Sequence, residues 1–243
     1  WLHCRGSVES IDHALRRSGR GWFVMLWHKL VGDGDKPPVS IIIPDTAKSD
    51  AVNRSAYTFT GVAFGPEAPD RIIAVPFAKS GGTGYATAVT IGGVSATIVQ
   101  PMTTNQTDAG LAYAFVPTGT SGTITITLHA GLSGCRIFVY NLTNAAGAYS
   151  SDHVSGTSSS ASMSVSAPKG SVVIGNAAMR ANQNITWSGD IVTNGQEDAQ
   201  IYDGENTTTS WASSLVLSED AAFTAVAAWS SSVTSGSTLV CFR

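Results

Sequence analysis

Thr123-Ile124-Thr125-Ile126-Thr127-Leu128 alternates hydroxyl and apolar side chains without a break. In an extended chain successive side chains point to opposite faces, so the three apolar residues share one side and the threonines the other. One face goes to a core and the other meets water. The same alternation returns in Ala161-Ser162-Met163-Ser164-Val165-Ser166-Ala167. A slip of one residue would expose the whole apolar set, so Ile124, Ile126, Leu128, Met163 and Val165 are expected to point inward.

Outward from these two segments the chain keeps the same character. Between Ser80 and Cys135 the single formally charged side chain is Asp108, and Gly, Thr, Ser, Ala and β-branched residues fill the rest. Strands are predicted near 40–43, 56–64, 71–78, 88–91, 96–99, 111–116, 123–128, 136–142, 162–167, 171–178, 214–217, 223–229 and 237–242. Short strands separated by Gly, Pro, Asn and Asp turns predict an all-β fold, an antiparallel β-sandwich resembling a jelly roll, with almost no helix. Residues 39–243 are read as one two-layer sandwich. A weak echo relates the strand, turn and strand at 119–140 to those at 156–175, as two hairpins with shared turn chemistry or as a duplication.

The first 38 residues differ and are read as an N-terminal arm and linker. Four of the 14 basic residues (Arg5, Arg16, Arg17, Arg20), three of the five histidines and three of the six tryptophans fall before Lys29. A short helix over Ser7–Arg17, capped by Ser7, is one reading. A natural start at Met25 is another. The arm is expected to lie outside the sandwich and to contact a neighbouring subunit, because Trp and Arg are enriched at interface hot spots.

Composition narrows the function classes. Charged residues make up 13% of the chain, against roughly a quarter in an average protein, and the net charge is -3. Solubility therefore rests on hydroxyls and amides. A nucleic-acid partner is disfavoured because the basic residues are few and scattered. The apolar run Trp22–Trp27 is too short for a signal-peptide core or a bilayer span, so neither export nor a membrane partner is expected. A hydroxyl-coated β-protein without a secretion signal fits assembly in a host cytoplasm and release in a virion. Cys4, Cys135 and Cys241 show no metal-binding spacing and read as buried thiols, with a Cys135–Cys241 disulfide left open. The sequons at Asn53, Asn105, Asn141, Asn184 and Asn206 arise readily by chance in a chain rich in Ser and Thr.

No catalytic motif emerges: GxSxG, HExxH and a P-loop are all missing, and Ser80-Gly81-Gly82-Thr83-Gly84 lacks the Lys of a phosphate cradle. No catalytic residue, metal or cofactor is expected, and His129 and His153 read as strand-end or loop histidines. The pattern loosens between Thr186 and Ala212, where aromatics and carboxylates gather. There Trp187, Tyr202 and Trp211 offer flat faces for a sugar ring or partner surface, and Asp190, Asp203 and Glu205 offer hydrogen-bond acceptors. The alternative is an acidic loop whose tryptophans plug the end of the sandwich. Asp190 with Glu197 as a glycosidase pair, and Asp203-Gly204-Glu205-Asn206 as calcium ligands, are sharper readings that no motif supports.

The runs Phe64-Gly65-Pro66-Glu67-Ala68-Pro69-Asp70-Arg71-Ile72-Ile73-Ala74-Val75, Val89-Thr90-Ile91-Gly92-Gly93-Val94-Ser95-Ala96-Thr97 and Val116-Pro117-Thr118-Gly119-Thr120-Ser121-Gly122-Thr123 carry a resemblance. They resemble uncharacterised β-rich structural proteins, head- or tail-associated, of tailed bacteriophages infecting alphaproteobacteria. The similarity covers about residues 56–142. It implies a virion component and brings no catalytic residue with it. Two function classes follow. One is a structural or adhesive virion protein, such as a head decoration, fibre or tail component, acting as a homo-oligomer with other virion proteins and meeting a host-surface glycan. The other is a carbohydrate-binding module or polysaccharide-degrading domain.

Overall fold

A computed structural model describes residues 36–100, 102–103, 105–132, 134–193, 195–202, 206–218 and 220–243. The expectations for the N-terminal arm, Cys4 and Met25 lie outside these residues. The described residues are almost wholly antiparallel β-structure, as the alternation predicts. The strands are β1 (Ser40–Ile42), β2 (Lys48–Asp50), β3 (Arg54–Ala63), β4 (Ile72–Ser80), β5 (Ala86–Ile91), β6 (Val94–Ser95), β7 (Thr97–Gln100), β8 (Asp108–Phe115), β9 (Ser121–Leu132), β10 (Gly134–Ile137) and β11 (Tyr140–Thr143). They continue with β12 (Ala148–Ala167), β13 (Val172–Met179), β14 (Thr186–Gly189), the one-turn helix α1 (Asp190–Thr193), β15 (Gly195–Tyr202), β16 (Thr208–Leu215) and β17 (Asp220–Phe242).

The strands make two sandwiches packed back to back, not the single two-layer sandwich expected from the sequence. In the first, the outer sheet β3-β9-β5-β6 faces an inner sheet in which β4 lies between β8 and the collinear pair β10 and β11. Tyr57, Phe59, Ile73, Val75, Phe77, Val89, Ile124 and Ile126 fill the space between them. In the second, the long β12–β17 ribbon breaks register near Ser158 and Ser160 and folds over. Its outer leaf carries Met163, Val165, Phe223 and Ala225, and these pack on Val173, Ala177 and Ala212 of its inner sheet.

The second half repeats the first, except that α1 stands where the first half has β6. β12 corresponds to β1, β2 and β3 joined, and β17 to β9, β10 and β11 joined; β4, β5, β7 and β8 have their counterparts in β13, β14, β15 and β16. Register matches as well. Ile72 stands opposite Phe115 and Leu142, and Val172 stands opposite Leu215 and Phe242, each about one hundred residues further on. An edge device is also shared. Asp45 accepts hydrogen bonds from Thr46 N and Ala63 N, both at 2.8 Å, while Asp152 accepts from His153 N at 2.8 Å and Ser164 N at 2.9 Å. Each Asp thereby ties the folded-back edge strand to its own beginning. Shared topology, register and edge chemistry mark the chain as a structural duplication. Its halves are about 39–143 and 148–243, a different correspondence from the hairpin echo.

Layer position explains the sequence patterns. β9 and the outer leaf of β12 are wet on one face and alternate; β4, β13 and β16 are covered on both faces and are buried at every residue. The two inner sheets meet over a third core of Ile72, Leu111, Phe138, Tyr140, Val172, Trp211, Val240 and Phe242. At its centre Phe138 stacks on Trp211, with ring centroids 5.3 Å apart. At one end the sheets come closer, over Ala78, Ala109 and Ala178. A Cβ on Gly236 there would lie 1.8 Å from Asp108 Oδ1, so that position requires glycine for space.

Arg71 organises the segment that runs from Phe64 to Val75. Its fully buried guanidinium donates to the carbonyls of Gly65, Pro66, Val116, Thr118 and Gly119, at 2.6 to 3.1 Å. One side chain thus knits the β3–β4 and β8–β9 connections. Burial lowers its pKa, with the Glu67 charge opposing. Cys135 and Cys241 are free buried thiols in different cores, so the disulfide left open by the sequence does not form. Burial pushes Cys135 up to about 12.

Candidate functional site

The 186–212 region was expected to be an exposed loop cluster, and the structure corrects this. It contains β14, α1, β15 and the start of β16, and its tryptophans are interior. Trp211 is fully buried between the two halves against Phe138. Trp187 lies in the second core and donates its Nε1–H to Ser210 Oγ at 2.8 Å, which in turn donates to Glu197 Oε1 at 2.9 Å. Neither indole presents a face to a ligand. Asp190 opens α1 and accepts from Thr224 N at 2.7 Å and Thr224 Oγ1 at 2.8 Å, which pins the helix to β17. Of the two carboxylates considered as a glycosidase pair, Asp190 thus bonds Thr224 of β17 and Glu197 bonds Ser210 of β16. Asp203 and Glu205, and with them the calcium reading, lie outside the described residues. Tyr202 is exposed, at 45% of its full surface.

The region reads as loop because its strands are polar. β16 begins Thr208-Thr209-Ser210 and is nonetheless buried, since a strand hydroxyl can bond a neighbouring backbone: Thr208 Oγ1 donates to Ala181 O at 2.8 Å. Asp198, absent from the expected set, accepts from Tyr140 Oη at 2.5 Å across the two halves. Burial raises the pKa of both groups, that of Tyr140 well above its ordinary value.

Two features offer chemistry that the sequence reading did not assemble. The first is a cleft of about 680 Å3 at the end of the second sandwich, lined by Asn182, Gln183, Asn184, Thr186, Ala228, Trp229 and Ser230. The β13–β14 connection supplies the amides and β17 the opposite wall. Gln200, on β15, fixes that connection, with Oε1 accepting from Ile185 N at 2.8 Å and Nε2 donating to Asn184 Oδ1 at 3.3 Å. Gln183 donates to Ser231 Oγ at 2.6 Å and accepts from Ser230 Oγ at 2.9 Å. Trp229, almost covered, is anchored by its Nε1–H to Ser158 O at 2.8 Å. A cluster of amides and hydroxyls 182–186 was legible in the sequence as Asn182-Gln183-Asn184-Ile185-Thr186, but nothing there showed that β17 would wall it.

The second is a buried polar joint. Asp108 is fully buried; its Oδ2 accepts from Thr103 N at 2.5 Å and Thr103 Oγ1 at 2.6 Å, and its Oδ1 accepts from Ala109 N and meets His153 Nε2, both at 2.8 Å. Lys79, also fully buried, donates to Gly84 O at 2.6 Å and Thr103 O at 2.7 Å. Burial lowers the Lys79 pKa to about 8, against a weaker upward pull from the Asp108 charge. His153 is therefore neither a strand-end nor a loop residue: it sits within β12 and ties the halves together. Its partner is the one charged side chain of the Ser80–Cys135 stretch.

No family model matches the chain, and no curated protein matches it. Among solved structures, a chain from the atomic structure of Sulfolobus turreted icosahedral virus aligns over 86% of this chain and 60% of its own length, at 12% identity and a TM-score of 0.23. This chain thus spans less than two thirds of that neighbour. A likeness at that score carries no argument about fold or function. Among the described residues, no group of His, Cys, Asp and Glu is arranged to hold a metal, and no helix is long and apolar enough to cross a membrane.

Proposed function

We propose that this chain is a structural component of a virus particle, packing against copies of itself and other virion proteins and meeting the host surface at one end. The observation that carries the proposal is the chemistry of the two outer layers. Thr58 and Thr60 of β3 with Thr125 and Thr127 of β9 face outward on the first half, and Ser162, Ser164 and Ser166 of β12 on the second. These are hydroxyl-bearing β-surfaces with few charges. Such a surface can be buried against a neighbouring subunit without desolvating ions, and its hydroxyls exchange water for partner atoms at little net cost. The phage resemblance over 56–142 supports the same reading, and turnover forms no part of it.

The test is location and assembly. Antibody against the chain should decorate particles released by the producing host, and native mass spectrometry should give a defined homo-oligomer. Thr125→Lys with Ser164→Lys should abolish that oligomer while circular dichroism shows the same folded β-structure. Particles without the chain, or a monomer at all concentrations, would overturn the proposal. A second reading, a carbohydrate-binding module, is favoured by the amide-lined cleft.

A further inference from the structure

The cleft has an unusual lining for a chain whose polar surface is mostly hydroxyl. Asn182, Gln183, Asn184 and Thr186 come from the β13–β14 connection and the start of β14, and Ala228, Trp229 and Ser230 from the neighbouring strand β17. Among the described residues, no ionisable side chain lines the cleft. The nearest basic neighbour in sequence, Arg180, is bonded to Gln106. A site of this kind selects by hydrogen-bond geometry. A planar amide carries an acceptor and two donors that match adjacent hydroxyls on a pyranose ring, and here Asn182 and the amide nitrogen of Asn184 are the groups not already bonded to Gln200, Ser230 or Ser231. A phosphorylated, sulfated or sialylated ligand would find no cation to meet it.

The wall is also held in place before any ligand arrives. Gln200 fixes the Asn184–Ile185 backbone and Asn184 Oδ1, while Gln183 is held between Ser230 and Ser231. Asn184 keeps its amide donor group pointing away from Gln200, and Asn182 is exposed. Tyr202 lies outside the lining, two residues beyond Gln200 and so on the same face of β15, with its ring exposed. It is the aromatic of the expected binding set that remains available for stacking on a sugar. Preorganised donors on an open cleft, with an exposed ring further along β15, suit a polymer that runs past the cleft more than a small molecule enclosed within it.

We infer that this cleft is a subsite for a neutral hexose or N-acetylhexosamine unit of a surface polysaccharide. Asn182, Gln183 and Asn184 supply the hydrogen bonds, and Tyr202 stacks on an adjoining unit. The inference rests on the host-contact part of the proposed function and deepens it. It adds a ligand chemistry and a place on the molecule.

The test uses the full chain. Maltohexaose, cellohexaose, chitohexaose and mannohexaose are titrated by saturation-transfer NMR and calorimetry, with sialyllactose and a heparin hexasaccharide as charged controls. At least one neutral hexasaccharide should bind in the micromolar to low millimolar range, independently of salt. Asn182→Ala should weaken it severalfold and Tyr202→Ala likewise, with the melting temperature and oligomeric mass unchanged, and adding Gln183→Ala, which also removes the ties to Ser230 and Ser231, should bring the loss to at least tenfold with the β-fold retained by circular dichroism. Failure of every neutral probe, binding unaltered by these substitutions, or preference for the charged controls would overturn the inference. Unchanged oligomeric mass and particle labelling would still leave the structural reading standing, so the two can fail separately.

Discussion

His153 Nε2 lies 2.8 Å from Asp108 Oδ1, and the two residues come from different halves of the duplicated chain. The contact forms where small residues let the inner sheets approach, and every other Asp108 bond comes from its own half. Asp108→Asn would set an amide N–H against either the Thr103 donors or Ala109 N, whichever way the amide turns. It should cost roughly 2 to 3 kcal/mol. Urea unfolding of Asp108→Asn, His153→Gln and the double variant should give a coupling energy of about 1 kcal/mol or more; additivity would show that the pair joins nothing.

Arg71 should resist even its closest replacement. Lysine supplies three donors on a point charge where five carbonyls converge on a planar fork. Arg71→Lys is expected to lower stability by about 3 kcal/mol and to raise amide exchange at Val116 and Phe64, whose N–H groups are bonded within these same connections.

Lys79 makes stability depend on alkaline pH in an unusual direction. Its pKa falls from the ordinary lysine value to about 8 in the fold, so between about pH 8 and 10.5 the unfolded chain holds a proton that the folded chain has released. Stability therefore rises with pH across this window, by roughly 3 kcal/mol from this group. Below pH 8 the penalty for burying the ammonium is constant. Cys135, raised to about 12, works in the opposite direction above pH 9, so the comparison must be with Lys79→Met, which keeps Cys135. The wild-type minus variant difference should climb between pH 8 and 10; a flat difference would show that Lys79 titrates normally.

What the sequence disclosed follows from which layer each strand occupies. Ile124, Ile126, Leu128, Met163 and Val165 are all buried as expected, because their strands have one wet face and alternation is then compulsory. The back-to-back stack was illegible for the complementary reason. β4 and β13, buried on both faces, carry no alternation to show which side faces which partner. The duplication was hidden because the fold requires equivalent positions to be apolar, not identical: Ile72 corresponds to Val172 and Leu142 to Phe242. Trp211 illustrates the failure at the site. A tryptophan amid Thr and Ser looks like a surface aromatic, and only the inner sheet of the first half, packed on it from a distant part of the chain, reveals it as core.

The edge aspartates should behave alike if the halves are alike. Asp152→Ala releases Ser164 N and Asp45→Ala releases Ala63 N. Each should cost about 1 to 2 kcal/mol and speed exchange of the amide it leaves unbonded, with the effect confined to its own edge. Exchange unchanged at both amides would mean that the shared geometry has no energetic role.

The central claim is that the two halves form one cooperative unit sealed by the core around Trp211 and Phe138, and calorimetry of Trp211→Ala beside the wild type tests it most directly. Removing the indole should cost about 3 to 5 kcal/mol. If the account is right, both proteins melt in a single transition whose calorimetric and van't Hoff enthalpies agree, and the variant's whole transition moves to lower temperature. Two separate transitions, with the substitution shifting only the one that belongs to residues 148–243, would contradict it.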